Sequence, residues 1–425
     1  MDKNVVLQHK IEKERLENRP YTPREQVNVF KANLENSLIK IVTGPRRAGK
    51  SVFCFQLLKG KKYAYLNFDD ENLLKIKNYD EIEPLLHEVY PGHEYIFLDE
   101  IQNLENWELF VNKLHRRGAN LIITGSNAKL LAREMATALT GRYVSAEVFP
   151  FSFTEYLSVK EIPVKTDSAE SRGRLLSAMD DYMNNGGFPE TTVLGVDGAS
   201  YLSTLFDAVI FKDVAARHKV RVPKEIYDLA LFMVSNPSCE FSFRQMAKQT
   251  GMKSAATLIK YASYLEESYI FELLNRFSFG VKKQLKSPKK IFLSDNGFMA
   301  AKGLAATKNT GRLFENLIYS HLRREGYEKN KSLFYYRSDS GDEIDFVLKK
   351  GMAVEKLVQV CYDISAPKTF ERELKSLVLR SEELRCDNLQ VFTWDTKSVE
   401  SYKGKKISIT PAWEELTAGS GPAGV

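Results

Sequence analysis

Apolar residues in the first 150 positions are grouped into short runs that alternate with amphipathic stretches. The run "LIKIVT" at 38–43 is rich in β-branched residues and stops at Gly44-Pro45, which predicts a strand that ends in a turn. The stretch "KSVFCFQLLKG" at 50–60 then predicts a helix. Two later apolar runs predict further strands, "YIFLDEIQN" at 95–103 and "NLIITG" at 120–125. Strands and helices that alternate in this way favour an α/β fold.

The turn between the first strand and its helix reads "GPRRAGKS" and fits the spacing G-x-x-x-x-G-K-[ST]. Glycines allow the backbone to turn its N–H groups toward phosphates, and the helix N-terminus adds a positive dipole end. Lys50 can reach the β- and γ-phosphates, and Ser51 can bind Mg²⁺. A glycine-rich turn without a ligand is disfavoured, because both of these side chains are present. The predicted phosphate-binding residues are Gly44, Pro45, Arg46, Arg47, Ala48, Gly49, Lys50 and Ser51.

Two carboxylates stand at the end of the strand in "YIFLDEIQN". Asp99 is placed to hold Mg²⁺ through water, and Glu100 is placed to orient or deprotonate an attacking water. The segment lies about one βαβ unit downstream of the glycine loop, so a merely acidic strand end is disfavoured. The strand at 120–125 is followed by Ser126 and Asn127. Ser126 could contact the γ-phosphate or its water, or either residue could cap a helix, and both interpretations stay open.

The composition indicates the class of protein and its cellular environment, but it does not identify a binding partner. The 425 residues carry a net charge of +6, with 43% hydrophobic and 27% charged residues, as in an ordinary soluble protein. This mild basicity permits contact with nucleic acid without requiring it. The four cysteines form no CxxC pair, which disfavours a zinc knuckle or a disulfide framework and predicts a reducing, cytoplasmic environment. There is no secretory h-region and no apolar stretch of membrane-spanning length, so no membrane partner is expected.

Six motifs occur in a fixed order: "GPRRAGKS", "YIFLDEIQN", "ITGSNAKLL", "LTGRY", "VFPFSFTEYL" and "NNGGFPE". Together they resemble the predicted AAA-type ATPases of bacteria and archaea, over about residues 21–415. In that family a P-loop module precedes a C-terminal domain of unknown function that is similar to restriction endonucleases. The resemblance implies ATP hydrolysis with Mg²⁺, frequent self-association and a small helical lid.

The same resemblance bears on two arginines. Arg142, in "GRY", becomes the candidate arginine finger, which would supply charge to the γ-phosphate of a neighbouring site. A surface arginine or a structural ion pair is the open alternative for this residue. Arg46, inside the glycine loop, looks characteristic of the family and would either contact phosphate or brace the loop.

Residues 226–300 show a winged-helix-like pattern of two helices around Gly251, followed by a hairpin. Seven lysines could meet DNA phosphates: Lys253, Lys260, Lys282, Lys283, Lys286, Lys289 and Lys290. Packing against protein is the competing interpretation, because the second helix offers few side chains that read bases.

The C-terminal pattern is α-β-β-β-α-β, which resembles the restriction-endonuclease-like core. That fold uses a helix acid, a strand acid and an acid-x-lysine pair to bind metal and activate water. Here Glu315 and Asp345 match the two acids, but the pair falls on Gln359 and Cys361, and a cysteine cannot replace an ammonium group. The interpretation is therefore a nuclease-like fold without nuclease activity, in which Glu343 and Asp345 pair with Arg337.

The predicted organisation is an AAA-type P-loop core with a helical lid, a winged helix and a restriction-endonuclease-like α/β domain. The expected segments are an N-terminal leader 1–20, a P-loop ATPase core 21–150, a lid 151–225, a winged-helix-like domain 226–300, a nuclease-inactive domain 301–415 and a flexible tail 416–425. The predicted function is a Mg²⁺-dependent ATPase that moves its C-terminal domains on an unknown protein partner as a homo-oligomer. The alternative is a DNA-binding ATPase that processes nucleic acid.

Overall fold

The computed structural model describes residues 2–76, 78–127, 141–250, 254–304, 310–365 and 367–418. The chain forms two compact units. The first is Met1–Pro150 with Glu267–Tyr269, and the second is Phe151–Glu266 with Ile270–Val425. The predicted turn at Gly251 with Lys253, and residues 419–425 of the predicted tail, lie outside the described residues.

The first unit contains six helices and five strands among its described residues. The helices are α1 (Lys3–Glu17), α2 (Glu25–Phe30), α3 (Lys50–Leu57), α4 (Glu71–Leu74), α5 (Ile82–Val89) and α6 (Trp107–Arg116). The strands are β1 (Ile39–Thr43), β2 (Tyr63–Asn67), β3 (Tyr95–Asp99), β4 (Asn120–Gly125) and β5 (Tyr143–Glu147). Short 3₁₀ turns cover Lys31–Glu35, Tyr79–Glu81 and Ile101–Asn103.

The five strands form one parallel sheet in the order β2-β3-β4-β1-β5. Alternate side chains of β1 enter different apolar layers: Ile39 and Ile41 pack in one core, and Val42 packs in the other. The sheet is therefore covered on both faces, as parallel sheets in α/β proteins are. Because all strands run the same way, the segments that follow Thr43, Asp99 and Gly125 emerge at one edge.

The segment predicted as an N-terminal leader is an integral helix of this unit. Val6 of α1 is fully buried in the core that also holds Ile39 and Ile41. Lys13 Nζ donates to Tyr63 O at 2.9 Å, and Tyr63 donates its hydroxyl to Glu17 at 2.5 Å. Both apolar packing and hydrogen bonds therefore attach α1 to this unit, the hydrogen bonds at Tyr63 of β2.

The second unit contains the remaining described elements. Its helices are α7 (Phe153–Val159), α8 (Ala169–Asn185), α9 (Pro189–Leu194), α10 (Gly198–Ala208), α11 (Pro223–Ser235), α12 (Phe243–Thr250), α13 (Ala255–Glu266), α14 (Val281–Lys286), α15 (Gly297–Lys302), α16 (Thr310–Arg324), α17 (Pro367–Leu384) and α18 (Ala412–Thr417). Its strands are β6 (Glu240–Phe241), β7 (Phe271–Asn275), β8 (Lys289–Leu293), β9 (Leu333–Arg337), β10 (Glu343–Lys350), β11 (Ala353–Cys361), β12 (Leu389–Thr393), β13 (Ser398–Tyr402) and β14 (Lys405–Pro411). A π-helical segment, Val209–Ala216, continues α10.

Two sheets organise this unit. The smaller is antiparallel, in the order β6-β8-β7, and its strand β6 lies between helices α11 and α12 in the chain, whereas β7 and β8 follow α13. The larger has the order β13-β14-β12-β11-β10-β9, with antiparallel pairs at both edges and parallel pairs β11–β12 and β12–β14. The elements from α16 to β12 thus follow the predicted order α-β-β-β-α-β.

One hydrophobic cluster runs from Phe188 to Phe298 without interruption at the predicted division between 225 and 226. It joins α10 and the π-helical segment to α11, α13 and strands β7 and β8. The stretch 151–225, predicted as a lid of the ATPase core, is part of the second compact unit.

The "NNGGFPE" motif forms a clamp around a buried carboxylate. Gly187 N donates to Asp295 Oδ2 at 2.8 Å, and Gly297 N donates to Asp295 Oδ1 at 2.8 Å. Gly186 has φ of 78°, and a Cβ there would lie 1.7 Å from Asp295 Oδ1. Asp295 therefore requires glycine at position 186, whereas Gly187 is required by another neighbour, because a Cβ there would lie 2.6 Å from Phe151 O. These approaches give the motif a structural explanation.

Among the described residues, no helix has both the length and the apolar character that a bilayer span requires.

Candidate functional site

The loop between β1 and α3 has the backbone that its glycines predict. Gly44 has φ of 142°, and a Cβ at this position would lie 2.1 Å from Val148 O. Gly49 has φ of 91° and immediately precedes α3, and Arg47 is also left-handed with φ of 67°. Non-glycine residues rarely adopt such backbone angles, and they cluster where a loop is shaped for a ligand.

Arg24 supports this loop, although sequence reasoning did not select it. Its buried guanidinium donates from Nη1 to Ala48 O at 2.8 Å and from Nη2 to Phe149 O. The backbone N–H of Arg24 also donates to Gln56 Oε1 of α3 at 2.9 Å. A fork of donors suits two carbonyls at once, so Arg24 fixes the loop to α3 and to the segment after β5.

Lys50, the first residue of α3, points its ammonium at the edge of the sheet. Its side chain is almost fully buried, and Nζ lies 3.1 Å from Pro45 O and 3.2 Å from Glu100 Oε1. These contacts hold the ammonium group between the loop and the end of β3. The structure therefore brings together Lys50 and Glu100, which come from two separate motifs.

Asp99 ends β3 and is 3% exposed. Thr124 of β4 donates its hydroxyl to Oδ1, Tyr65 of β2 donates to Oδ2 at 3.4 Å, and Ser51 also hydrogen-bonds this carboxylate. Burial and the neighbouring Glu100 raise the pKa of Asp99 to about 6, against the opposing effects of these hydroxyls and Lys50. The contacts of Thr124 and Tyr65 come from the two strands beside β3. Thr124 lies in the motif "ITGSNAKLL", but sequence reasoning selected neither side chain.

Glu100 has the left-handed φ of 49°, which turns its side chain away from the line of β3. Its Oε2 accepts from Gln102 Nε2 at 2.6 Å and from Ser126 Oγ at 3.0 Å. Burial opposes ionisation, but Lys50 and these hydrogen bonds outweigh it and lower the pKa of Glu100. The carboxylate is thus ionised at neutral pH and held in one orientation.

The remaining predicted site residues are placed differently. Ser126 lies at the same sheet edge and bonds Glu100, whereas the helix that it or Asn127 was predicted to cap lies outside the described residues. Arg142 is exposed and precedes β5, and its Nη1 donates to Asn112 Oδ1 at 3.0 Å. Because Ile39 N bonds Arg142 O, Arg142 lies at the opposite end of β1, roughly 13 Å from Thr43 along the strand.

In the second unit, the predicted acids Glu315 and Asp345 come together around a lysine that had been predicted to face DNA. Lys290 Nζ lies 2.6 Å from Glu315 Oε1, 2.6 Å from Glu343 Oε1 and 3.4 Å from Asp345 Oδ1. Arg337 instead contacts Glu240, and its Nη1 is 3.9 Å from Glu343. The predicted pairing of Asp345 with Arg337 is therefore replaced by pairing with Lys290.

The two residues at the acid-x-lysine position have other partners. Gln359 donates its side-chain amide to Glu373, and Cys361 contacts Asp363 O at 3.4 Å. Burial raises the pKa of Cys361 to about 11, so its thiol is neutral and supplies no charge.

Three of the lysines predicted for DNA are engaged within the unit. Besides Lys290, Lys289 donates to Asn275 Oδ1, and Lys283 lies 3.3 Å from Asp339 Oδ2. Lys282 and Lys286 of α14 are exposed. The basic surface that could meet phosphate is thus smaller than the sequence suggests.

Comparison with known families divides the chain into three matched regions. An AAA domain matches residues 36–157, a domain of unknown function (DUF8612) matches 176–309, and another (DUF4143) matches 310–408. The AAA domain contains every residue of the glycine loop and the ends of β3 and β4. Its match supports ATP binding by this domain.

Two relatives match this chain over most of its length. "Uncharacterized protein MJ1544" of Methanocaldococcus jannaschii is 34% identical over 394 residues, covering 88% of this chain and 87% of the relative. A protein of Haemophilus influenzae is 30% identical over 349 residues, covering 78% and 84% of the two chains. Among solved structures, the chain is similar to a Walker-type ATPase of Pyrococcus abyssi, with 14% identity, a TM-score of 0.43 and coverage of 67% and 98%. The chain therefore belongs to the family of AAA-type ATPases in which the AAA domain is followed by these two domains of unknown function.

Proposed function

We propose that this protein binds ATP with Mg²⁺ and hydrolyses it at the edge of the five-stranded sheet. The observation that carries the proposal is the meeting of Lys50, Asp99, Glu100 and Ser126, which come from three separate segments. An ammonium, a metal-binding carboxylate and an ionised, oriented carboxylate are the groups that phosphoryl transfer to water requires.

The residues at this edge fit a nucleotide and its metal. The loop needs glycine at position 44 because a Cβ there would lie 2.1 Å from Val148 O. A glycine loop of this kind can turn backbone N–H groups toward phosphate. Ser51 and Asp99 supply a hydroxyl and a carboxylate oxygen, the ligand types that Mg²⁺ prefers, and would hold the ion. Bound Mg²⁺ would neutralise charge on the phosphate oxygens.

Within this proposal each side chain has a defined task. Lys50 would exchange its contacts with Pro45 O and Glu100 for the β- and γ-phosphate oxygens. That exchange would leave Glu100, still held by Gln102 and Ser126, to accept a proton from the attacking water. Arg24 would keep the loop in shape from behind, without touching the substrate.

The test is steady-state ATP hydrolysis by the purified full chain in Mg²⁺, beside Lys50→Ala and Lys59→Ala. Lys59 is an exposed lysine of the turn that follows α3 and serves as the matched control. We expect Lys50→Ala to weaken ATP binding at least about tenfold, since charge-assisted contacts to phosphate are lost, and Lys59→Ala to behave as wild type. Hydrolysis by Lys50→Ala at the wild-type rate would remove the basis of the proposal.

We further propose that the active form is a homo-oligomer in which Arg142 acts on a neighbouring subunit's site. The position of Arg142 at the end of β1 opposite the phosphate loop supports action in trans rather than on its own chain's site. Arg142→Ala and Glu100→Gln should each be inactive alone, and mixing them should restore part of the activity. Mixtures that stay as inactive as their components would remove Arg142 from this role.

For the second unit, the proposed role is to move on a protein partner as the nucleotide state changes, through winged-helix and nuclease-like domains. DNA contact is the second candidate, supported by exposed Lys282 and Lys286 next to exposed Phe279. Addition of double-stranded DNA to the same assay at low and moderate salt separates the two. Stimulation that fades with salt would favour DNA, and indifference to DNA would favour a protein partner.

A further inference from the structure

The carboxylate cluster of the second unit does not fit a metal ion as it stands, because an ammonium group occupies its centre. The three carboxylates come from α16 and β10, whereas Lys290 comes from β8 of the other sheet. Among the described residues, no group of three or more His, Cys, Asp or Glu side chains has an arrangement that would hold a metal. The cation that such a set of acids requires is instead supplied by the chain itself.

We propose that Lys290 is a tethered cation that fills the position of a divalent metal between Glu315, Glu343 and Asp345. Two features besides the acidic cluster carry this inference. The ammonium nitrogen lies 2.6 Å from two carboxylates at once, which is the short end of charge-assisted contacts. In addition, Val360 N donates to Asp345 Oδ2 at 2.9 Å, so the second oxygen of that carboxylate is fixed while the first faces the lysine.

The charges of the cluster explain why a cation has to lie between the three acids. Lys290 is 2% exposed, and Asp345 and Glu315 lie beside it with little solvent. Carboxylates gathered in such a place repel one another unless a cation lies between them. A lysine is a compact point charge with three donors, enough for one bond to each acid. A metal ion would have to displace this ammonium group, so Lys290 adds to the loss of the acid-x-lysine pair at Gln359 and Cys361.

The consequence can be tested by removing the tether. In Lys290→Ala the three carboxylates lose their cation while keeping their positions on α16 and β10. Divalent cations bind sets of two or three carboxylates, so we expect one additional Mn²⁺ per chain relative to wild type. We also expect Mn²⁺ to raise the melting temperature of Lys290→Ala and not that of wild type.

The probe is Mn²⁺ itself, with free ion counted by electron paramagnetic resonance on the nucleotide-free full chain. The triple variant Lys290→Ala/Glu315→Gln/Asp345→Asn is the control, and it should lose the extra ion while the rest of the titration is unchanged. If Lys290→Ala does not fold, Lys290→Ala/Glu343→Gln carries less uncompensated charge and keeps two metal ligands. It should give the same extra ion.

Two outcomes would overturn the inference. A folded Lys290→Ala or Lys290→Ala/Glu343→Gln chain that binds no more Mn²⁺ than wild type would show that the cluster is an ordinary ion-pair network. Mn²⁺ bound by wild type and lost in Asp345→Asn would show that Lys290 does not exclude the metal.

Discussion

Lys50 and Lys290 are both buried lysines beside carboxylates, yet the two surroundings leave the ammonium group in different states. Lys50 has two described polar contacts, at 3.1 and 3.2 Å, and one of them is a carbonyl. Lys290 faces three carboxylates, two of them at 2.6 Å. The first ammonium has room to take new anionic partners, whereas the second is saturated.

The carboxylates beside the two lysines, Glu100 and Glu315, also differ in how they are held. Glu100 is held by Gln102 and Ser126 in addition to Lys50, so it remains satisfied when the lysine moves away. Glu315, by contrast, lies 2.6 Å from Lys290 Nζ, and its side chain is only 12% exposed. In this chain the lysine beside one carbonyl and one carboxylate lies at the proposed working site, and the lysine among three carboxylates belongs to a structural cluster.

The largest expected effect tests the first half of this comparison. Glu100→Gln should lower kcat by ~10²–10⁴-fold, because an amide cannot accept the proton of the attacking water. ATP affinity should stay within a few-fold of wild type, since Lys50 remains available to the phosphates. Rapid-quench kinetics and equilibrium nucleotide binding measure the two quantities. Glu105→Gln, an exposed residue of the same segment, is the control, and equal kcat values for the two variants would refute the assignment.

The second prediction concerns stability. Lys290→Ala should reduce the free energy of unfolding by ~3–5 kcal/mol, the usual cost of removing one partner from a buried ion pair. Lys50→Ala should cost far less, because Glu100 keeps two other donors. Urea denaturation followed by fluorescence compares them, with exposed Lys282→Ala as the reference for loss of a surface charge. If Lys50→Ala and Lys290→Ala lost the same free energy of unfolding, the proposed difference between the two lysines would be wrong.

The third prediction separates backbone angle from close approach in the phosphate loop. Gly44→Ala should destabilise the unit by at least ~1–3 kcal/mol and abolish ATP binding, because the new Cβ would meet Val148 O. Gly60 also has a positive φ, of 80°, but nothing lies within 4 Å of a Cβ built there, so Gly60→Ala is the comparison. Gly60→Ala should lose only the stability that an alanine with a positive φ costs. Thermal melting and nucleotide titration of both variants provide the measurement, and similar losses in the two would mean that the contact is unimportant.

The smallest effect is a pH dependence in the second unit. Burial raises the pKa of Asp295 to about 6, although the N–H groups of Gly187 and Gly297 oppose this shift. Between about pH 4 and 6 the native chain therefore binds a proton that the unfolded chain has released, so this residue's contribution to stability falls as pH rises.

Asp295→Asn removes that proton uptake. Compared with the variant, wild type should melt relatively higher at pH 4.5 than at pH 7, and the gap should narrow with rising pH. Scanning calorimetry at both pH values gives the difference, and Asp228→Asn, at an exposed position, is the control. A gap that widens toward pH 7 would contradict the direction of the shift.

The residues of the proposed nucleotide site could be selected from the sequence because they lie in short, contiguous motifs. A contiguous loop specifies its own backbone, and an apolar run that ends in Asp99-Glu100 places both acids at a strand end. Contacts between segments that are distant in the chain produce no contiguous motif in the sequence. Arg24 bonds Phe149 O across 125 residues, and Lys290 reaches Glu343 across 53. Lys290 also lies in a basic stretch, "KSPKK", where solvent exposure is the ordinary expectation for a lysine.

The clamp on Asp295 has a consequence for how the chain acquires its structure. Gly187 and Asp295 are 108 residues apart, and the cluster from Phe188 to Phe298 spans the same interval. During synthesis, the loop at 186–187 and the helices after it must wait for more than a hundred further residues before their closing contacts exist. Folding of this unit is therefore governed by long-range closure, which is slow and exposes apolar surface meanwhile. Truncation between the two ends would leave a fragment that cannot complete its core.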